Sequence, residues 1–276
     1  MIEIPICLEA HGKIIRFRLL LNPDSKHDSW LLQHYQNRVC YEPEMVWIML
    51  RALQEGDVAI DIGANIGFFT LLMARCVGAK GKVVAYEPLP NHWPGLQKNL
   101  EVNGFANVDV KPHPVWIREE KVTFYLDSDD TSGSCLWDPG LWFENALSRE
   151  KKHPMEMQAV ALKSSVPVKL IKMDTEGADQ KILEGAIQLL SAPERVPYIL
   201  VELNPFGLRQ FGQDAEGFRI FMRAHGYDLF FLHGDDRLPT LVPENTKVKF
   251  IGDMAIKNAM FSTVEDVAKL FPEAVE

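Results

Sequence analysis

The stretch that most constrains this chain is VAIDIGANIGFFTLL, residues 58–72. The apolar run 58–62 reads as a buried strand, and 68–77 reads as a helix with Phe68, Leu71, Leu72 and Cys76 on one face. Between them Gly63 and Gly67 bracket a tight turn. Glycine there lets backbone approach a ligand, and the helix that Gly67 opens has an electropositive N-terminus. A glycine loop alone is weak evidence. Its place between a strand and a helix is the context that a nucleotide-binding turn requires.

The alternation continues beyond this unit. Strands are expected at 82–87, 108–113, 168–174 and 198–203, with helices at 93–103, 178–190 and 214–225. Apolar strands alternating with helices imply an α/β fold with a doubly wound, mostly parallel sheet covered on both faces. The runs 227–232 and 247–251 are joined by a loop with no helical pattern, so they are expected to pair antiparallel. Three regions result: an N-terminal hairpin and cap over 1–43, a main domain over 44–255, and a C-terminal helix or tail over 256–276. A Trp-, Gly- and Pro-rich segment at about 127–165 reads as an irregular, lid-like insertion. Within it Trp137, Trp142 and Phe143 either wall a substrate or pack the lid on the core.

The net charge of −9 leans against nucleic acid or an anionic membrane as the main partner. Four scattered cysteines give neither a zinc pattern nor a disulfide framework. The first residues do not read as a signal peptide, and no apolar run is long enough to span a bilayer. A cytoplasmic setting is therefore expected; the oligomeric state is not legible.

In sheets of this kind ligands bind beyond the carboxyl ends of the strands. Glu87 ends the second strand, 20 residues after Gly67, where an acid meets ribose hydroxyls. It could equally cap the next helix. Asn65 holds the position where the middle glycine of a dinucleotide fingerprint would admit a pyrophosphate. S-adenosylmethionine carries no phosphate, and its carboxylate and amine suit backbone amides and an acid such as Asp61. The loop favours S-adenosylmethionine over NAD.

The segments YEPEMVWIMLRALQEGDVAIDIGANIGFFTLLMAR, VVAYEPLPNHWPGLQKNLEVNG, LIKMDTEGADQKILEGA and YILVELNP together resemble the FkbM-type S-adenosylmethionine-dependent methyltransferases, over roughly 41–204. The resemblance implies a seven-stranded sheet with its last strand inserted antiparallel, and O-methylation of a small molecule such as a sugar or polyketide-derived product. By that likeness Asp61, Gly63, Asn65, Gly67 and Glu87 hold the cofactor, with Ala64, Phe68 and Pro88 beside them.

Lys172, Asp174 and Glu176 stand at the fourth strand exit as catalytic candidates. Residues two apart in a strand share a face, so Lys172 and Asp174 should point the same way. The two carboxylates could orient a substrate hydroxyl and take its proton, or cap the helix near Gly177 with Lys172 as ion-pair partner. They could also hold a divalent metal, but spacing supplies no third ligand, and none is assigned. Two positions depart from the family pattern: Ala161-Leu162-Lys163 stands where Thr-Leu-Asp is usual, and Asp179 where glutamate is common. N- or C-methylation, action on a peptide side chain, and a non-catalytic partner role stay open. His113 and Trp116 either touch adenine or pack a strand end, while His233-Gly234-Asp235-Asp236 reads as a turn.

Overall fold

The computed structural model describes residues 1–10, 12–127, 133–137, 152–191, 193, 195–243, 248 and 256–272. It opens with an antiparallel hairpin, β1 (Ile2–Ala10) and β2 (Lys13–Leu21). Ile15, Phe17, Leu19 and Leu21 alternate inward along β2, as period-two patterning demands. Helices α1 (Lys26–Gln36) and α2 (Pro43–Ala52) follow, the first capped by the Ser25 hydroxyl.

The central unit then alternates: β3 (Val58–Ile62), α3 (Phe68–Val77), β4 (Lys82–Tyr86), α4 (Trp93–Asn103) and β5 (Val108–Lys111). A small sheet comes next, built from β6 (Val115–Trp116), β7 (Glu120–Asp127) and β8 (Lys152–Ala161). The chain returns through β9 (Leu170–Met173), α5 (Asp179–Gly185), β10 (Tyr198–Leu203), α6 (Pro205–Gln210), α7 (Ala215–Ala224), β11 (Asp228–Phe231), β12 (Thr240–Leu241), β13 (Lys257–Ser262) and α8 (Val264–Leu270).

The large sheet runs β12-β11-β13-β10-β9-β3-β4-β5. From β10 to β5 every pairing is parallel, and β13 is antiparallel to both β10 and β11. The chain builds outward from β3 to β5 and then crosses back to β9. The topological switch point therefore falls between β3 and β9, where a ligand is expected. Apolar clusters cover both faces of the sheet.

Three expectations need correction. Among the described residues the sheet has eight strands rather than seven, because Thr240–Leu241 adds a two-residue edge to β11. The inserted antiparallel strand is Lys257–Ser262, which lies in the region read as a tail; its apolar run is only Ala259-Met260-Phe261, too short to announce a strand. Of the expected strand at 247–251, only Val248 is among the described residues. Finally, the segment read as irregular contains β8, which pairs with β7 from Glu120↔Ala159 to Asp127↔Lys152. Pro154 hides this strand in the sequence. It is tolerated because β6 covers β8 only at Val160 and Ala161, so β8 is an edge at Pro154. No helix among the described residues is long and apolar enough to cross a membrane.

Candidate active site

The site is assembled on the carboxyl ends of β3, β4, β9 and β10. Asp61 is the fourth residue of β3 and fully buried, with its carboxylate accepting a 2.6 Å hydrogen bond from the Thr70 hydroxyl of α3. The register pairs Asp61 with Lys172 on β9. The Lys172 ammonium, itself buried, lies 3.8 Å from Asp61 and 3.3 Å from Asp174, above the ring of Phe69. Burial alone would lower the proton affinity of Lys172, but Asp174, Asp61 and Glu42 outweigh it and hold the group above its ordinary value. Lys172 is thus a fixed cation that organises carboxylates rather than a group that exchanges protons.

The turn after β3 is stitched to β4. The amides of Gly63 and Ala64 both donate to the Tyr86 carbonyl at 3.0 Å, and the Asn65 amide donates to the Glu87 carboxylate at 2.6 Å. Gly63, Asn65 and Gly67 all have positive φ, of 83°, 52° and 96°. Asn tolerates this region better than most residues. A methyl group on Gly63 would run into the Asp174 carbonyl, so this glycine lets two strand exits approach each other. Glu87 is buried, and its second oxygen accepts from the Leu89 amide at 2.9 Å with the His92 Nδ1 3.1 Å away.

Beyond β9 and β10 the carboxylates gather. Glu176 has left-handed backbone, φ 53°; its carboxylate accepts from the Asn204 amide at 2.8 Å and its carbonyl from the Trp137 indole at 3.0 Å. Oxygens of Asp174, Glu176 and Glu202 all lie within 4.8 Å of one another. Glu202 thus supplies the third carboxylate that spacing could not. Burial, then Asp174, Glu176 and Glu42, push the Glu202 carboxyl up to about 10. Glu42, preceding α2, is pushed up to about 7 by burial and by Asp174. Two of the clustered acids therefore hold protons more tightly than usual.

A pH dependence follows. The native state binds the Glu202 proton more tightly than the unfolded chain does, so the contribution of this group is complete below the ordinary carboxylate range. It is lost as pH rises towards 10. Glu202→Gln is expected to gain thermal stability relative to the wild type between about pH 6 and about pH 9. A constant difference in melting temperature across that range would show that Glu202 is charged throughout.

These residues line one cavity of about 550 Å³. Of the residues predicted for the site, Gly63, Ala64, Asn65, Phe68, Glu87, Pro88, Lys172, Asp174 and Glu176 line it; Asp61 and Gly67 stand behind the wall. Sequence reasoning gave no role to Lys26, Trp30, Tyr41, Glu42 or His92, and placed Glu202 at a strand exit without assigning it one; His113 lines the cavity as well. Glu202 carried a usable signal, an acid at a strand exit. Lys26 and Trp30 carried none, because nothing local says that the N-terminal segment folds over the glycine turn, and the YEPEMVW segment that Tyr41 and Glu42 open assigned them no role.

Other candidates fall elsewhere. Trp116 packs on Phe211, and Asp236 pairs with Arg51 at 3.0 Å. Trp137 anchors on Phe206 and Glu176, while Trp142 and Phe143 lie outside the described residues. Lys163, at the position that departs from the family pattern, is exposed and 3.5 Å from Glu119, away from the cavity.

The lining tests the cofactor directly. Five acidic side chains (Glu42, Glu87, Asp174, Glu176, Glu202) face two ammonium groups (Lys26, Lys172), and with Glu202 holding its proton the acids still outnumber the cations. Such a wall repels a pyrophosphate and attracts a ligand bearing a sulfonium and an ammonium. A doubly wound sheet with this turn, acid and cavity at its switch point defines a nucleoside-cofactor enzyme of the α/β class.

Residues 61–229 match the methyltransferase FkbM domain, and the chain belongs to that family of S-adenosylmethionine-dependent methyltransferases. It is 34% identical over 93 residues to a protein-L-isoaspartate O-methyltransferase of Methanocella arvoryzae, covering 33% of this chain and 48% of that one. It is 22% identical over 210 residues to the hexuronic acid methyltransferase AglP of Haloferax volcanii, covering 74% and 76%. The chain spans about half the length, or less, of the curated relatives it matches first. Among solved structures, a SAM-dependent O-methyltransferase from Thermotoga maritima is 14% identical, with a TM-score of 0.43 and coverage of 94% and 77%.

Proposed function

We propose that this protein O-methylates a hydroxyl of a small polar metabolite. The observation that carries the reading is the cluster of Asp174, Glu176 and Glu202 on the wall of the cofactor cavity. S-adenosylmethionine supplies an electrophilic methyl group on a sulfonium. Asp61, Gly63, Ala64, Asn65, Gly67, Phe68, Glu87 and Pro88 form or back the turn that would hold the cofactor. Glu87 offers its carboxylate to a vicinal diol.

The remaining carboxylates have to align the acceptor. Methyl transfer is an in-line displacement, so alignment is the larger contribution. A carboxylate that takes the hydroxyl proton adds about 10²–10⁴-fold. Glu202, which holds its own proton, suits the role of donor to an acceptor oxygen. Asp174 and Glu176 are the candidates to receive the proton. Trp137, tied to Glu176, couples the insertion to that end of the cavity. The named activity of AglP on a hexuronic acid supports a sugar-like acceptor. The four free cysteines accord with a reducing, cytoplasmic setting.

An amine acceptor is the second reading, since the same carboxylates would attract an ammonium. Radiolabelled S-adenosylmethionine with glucuronic acid, a neutral glycoside, a primary amine and an isoaspartyl peptide separates the cases. Label on a hydroxyl of either sugar supports O-methylation. Label only on the amine or the peptide sinks it.

A further inference from the structure

Outside the matched residues 61–229, the cavity wall includes a carboxylate whose placement the fold itself does not require. Glu42 stands at the N-cap of α2, where a residue ordinarily keeps extended backbone and turns its side-chain oxygen to the first helical amides. Here φ is 38° and ψ 60°, and the side chain makes no capping bond. Left-handed backbone on a non-glycine residue persists only where the surroundings enforce it. Three of the five such residues among those described, Glu42, Asn65 and Glu176, line this one cavity. The carboxyl of Glu42 is directed to the cavity instead of the helix, with the Tyr41 hydroxyl bonded to it.

Its position relative to Glu87 gives it a partner. Tyr41 packs on Phe68 and Phe69, ring centroids 5.4 and 5.7 Å away, at the first turn of α3. Lys172, over the same Phe69, reaches that point from β9. In the sheet β9 and β4 flank β3 on opposite sides; Glu42 interacts with Lys172 and Asp174 on the β9 side, while Glu87 follows β4 and holds the Asn65 amide. A ligand held at Glu87 by a ribose diol and lying along the turn presents its other end to Glu42.

We propose that Glu42 binds the ammonium of the cofactor's α-amino-acid tail, so that the N-terminal segment completes the methyl-donor site. The proposal rests on the cofactor reading above. The environment agrees with it: the groups facing Glu42 are Tyr41 and Glu44 from its own segment, Lys172 and Asp174 from β9 and its exit, and Glu202 from β10. Glu42 is pushed up to about 7, so it is partly protonated at neutral pH. An arriving ammonium favours the charged form, and binding releases a proton.

Calorimetry with two probes tests this. S-adenosylhomocysteine carries the amino-acid tail, and 5′-methylthioadenosine lacks it. Glu42→Gln should weaken S-adenosylhomocysteine by about tenfold or more, the loss of one charge-assisted hydrogen bond, and leave methylthioadenosine within about twofold. Glu42→Asp should recover part of the loss. At neutral pH the wild type should release protons on binding S-adenosylhomocysteine, seen as heats that differ between buffers of unlike ionisation enthalpy, and Glu42→Gln should not. Glu42→Gly removes the carboxylate without the left-handed strain; it should melt no lower than the wild type and show the same loss. Equal weakening of both probes, or unchanged S-adenosylhomocysteine binding with slower methyl transfer, overturns the proposal. A wild type that binds neither probe overturns the cofactor reading with it, an outcome distinct from failure of Glu42 alone.

Discussion

Lys172→Met is expected to cost about 3–5 kcal/mol of unfolding free energy, read as a large fall in the urea midpoint. The methionine fills much of the volume, so packing is not the main loss. What goes is the one ammonium between Asp61, fully buried, and Asp174, 3.3 Å away. Among the described residues Asp61 then keeps the Thr70 hydroxyl alone, and its other oxygen has no hydrogen-bond partner. An uncompensated charge in such a place is among the few single changes with effects of this size. Adding Asp61→Asn should restore a good part of the loss, because the buried charge goes with it. If the double variant is no more stable than Lys172→Met, the ion pair is not the origin of the effect.

The second large effect concerns the cofactor. Glu87→Gln is expected to weaken S-adenosylhomocysteine by roughly 100-fold in calorimetry. The carboxylate already receives the Asn65 and Leu89 amides, one on each oxygen, with His92 Nδ1 3.1 Å from the second, and the oxygen that meets Asn65 has a lone pair left for a diol. Glutamine replaces one oxygen by an NH₂ group that must face an amide donor, so one side of the turn loses its anchor. It also removes the charge-assisted bond proposed to the ribose, worth about 1.5–3 kcal/mol. Together these approach the ~2.7 kcal/mol that a 100-fold change represents. A variant that melts lower yet binds S-adenosylhomocysteine as before would show that Glu87 only ties the two turns.

The parts legible in the sequence were those set by local pattern. The strand, turn and helix around Gly63 and Gly67 announce themselves through period and glycine placement, and Glu87 through its distance along the chain. Lys172 and Asp174 share a face because strand geometry makes them do so, and the structure brings them into contact. The parts that were not legible depend on long-range register. Lys257–Ser262 has three apolar residues in a row, and only its two neighbours make it a strand. Pro154 argues against a strand until the unpaired edge beside it is known. Glu42 opens the YEPEMVW segment with Tyr41, but nothing in the segment says what its carboxylate does; its meaning comes from a backbone angle and a cavity.

The position of β13 has a consequence for the order in which this protein can be made. β10 and β11 do not pair with each other; each pairs with β13, which is translated some fifty residues after β10 and twenty-five after β11. On the ribosome the half of the sheet from β5 to β10 can assemble with all its partners present. The β11 hairpin has no place to dock until residues 257–262 emerge. The carboxyl edge carrying Glu202 therefore stays open on one side until β13 is made, and the sheet beside the cavity wall is finished by a strand that follows β11 in the chain.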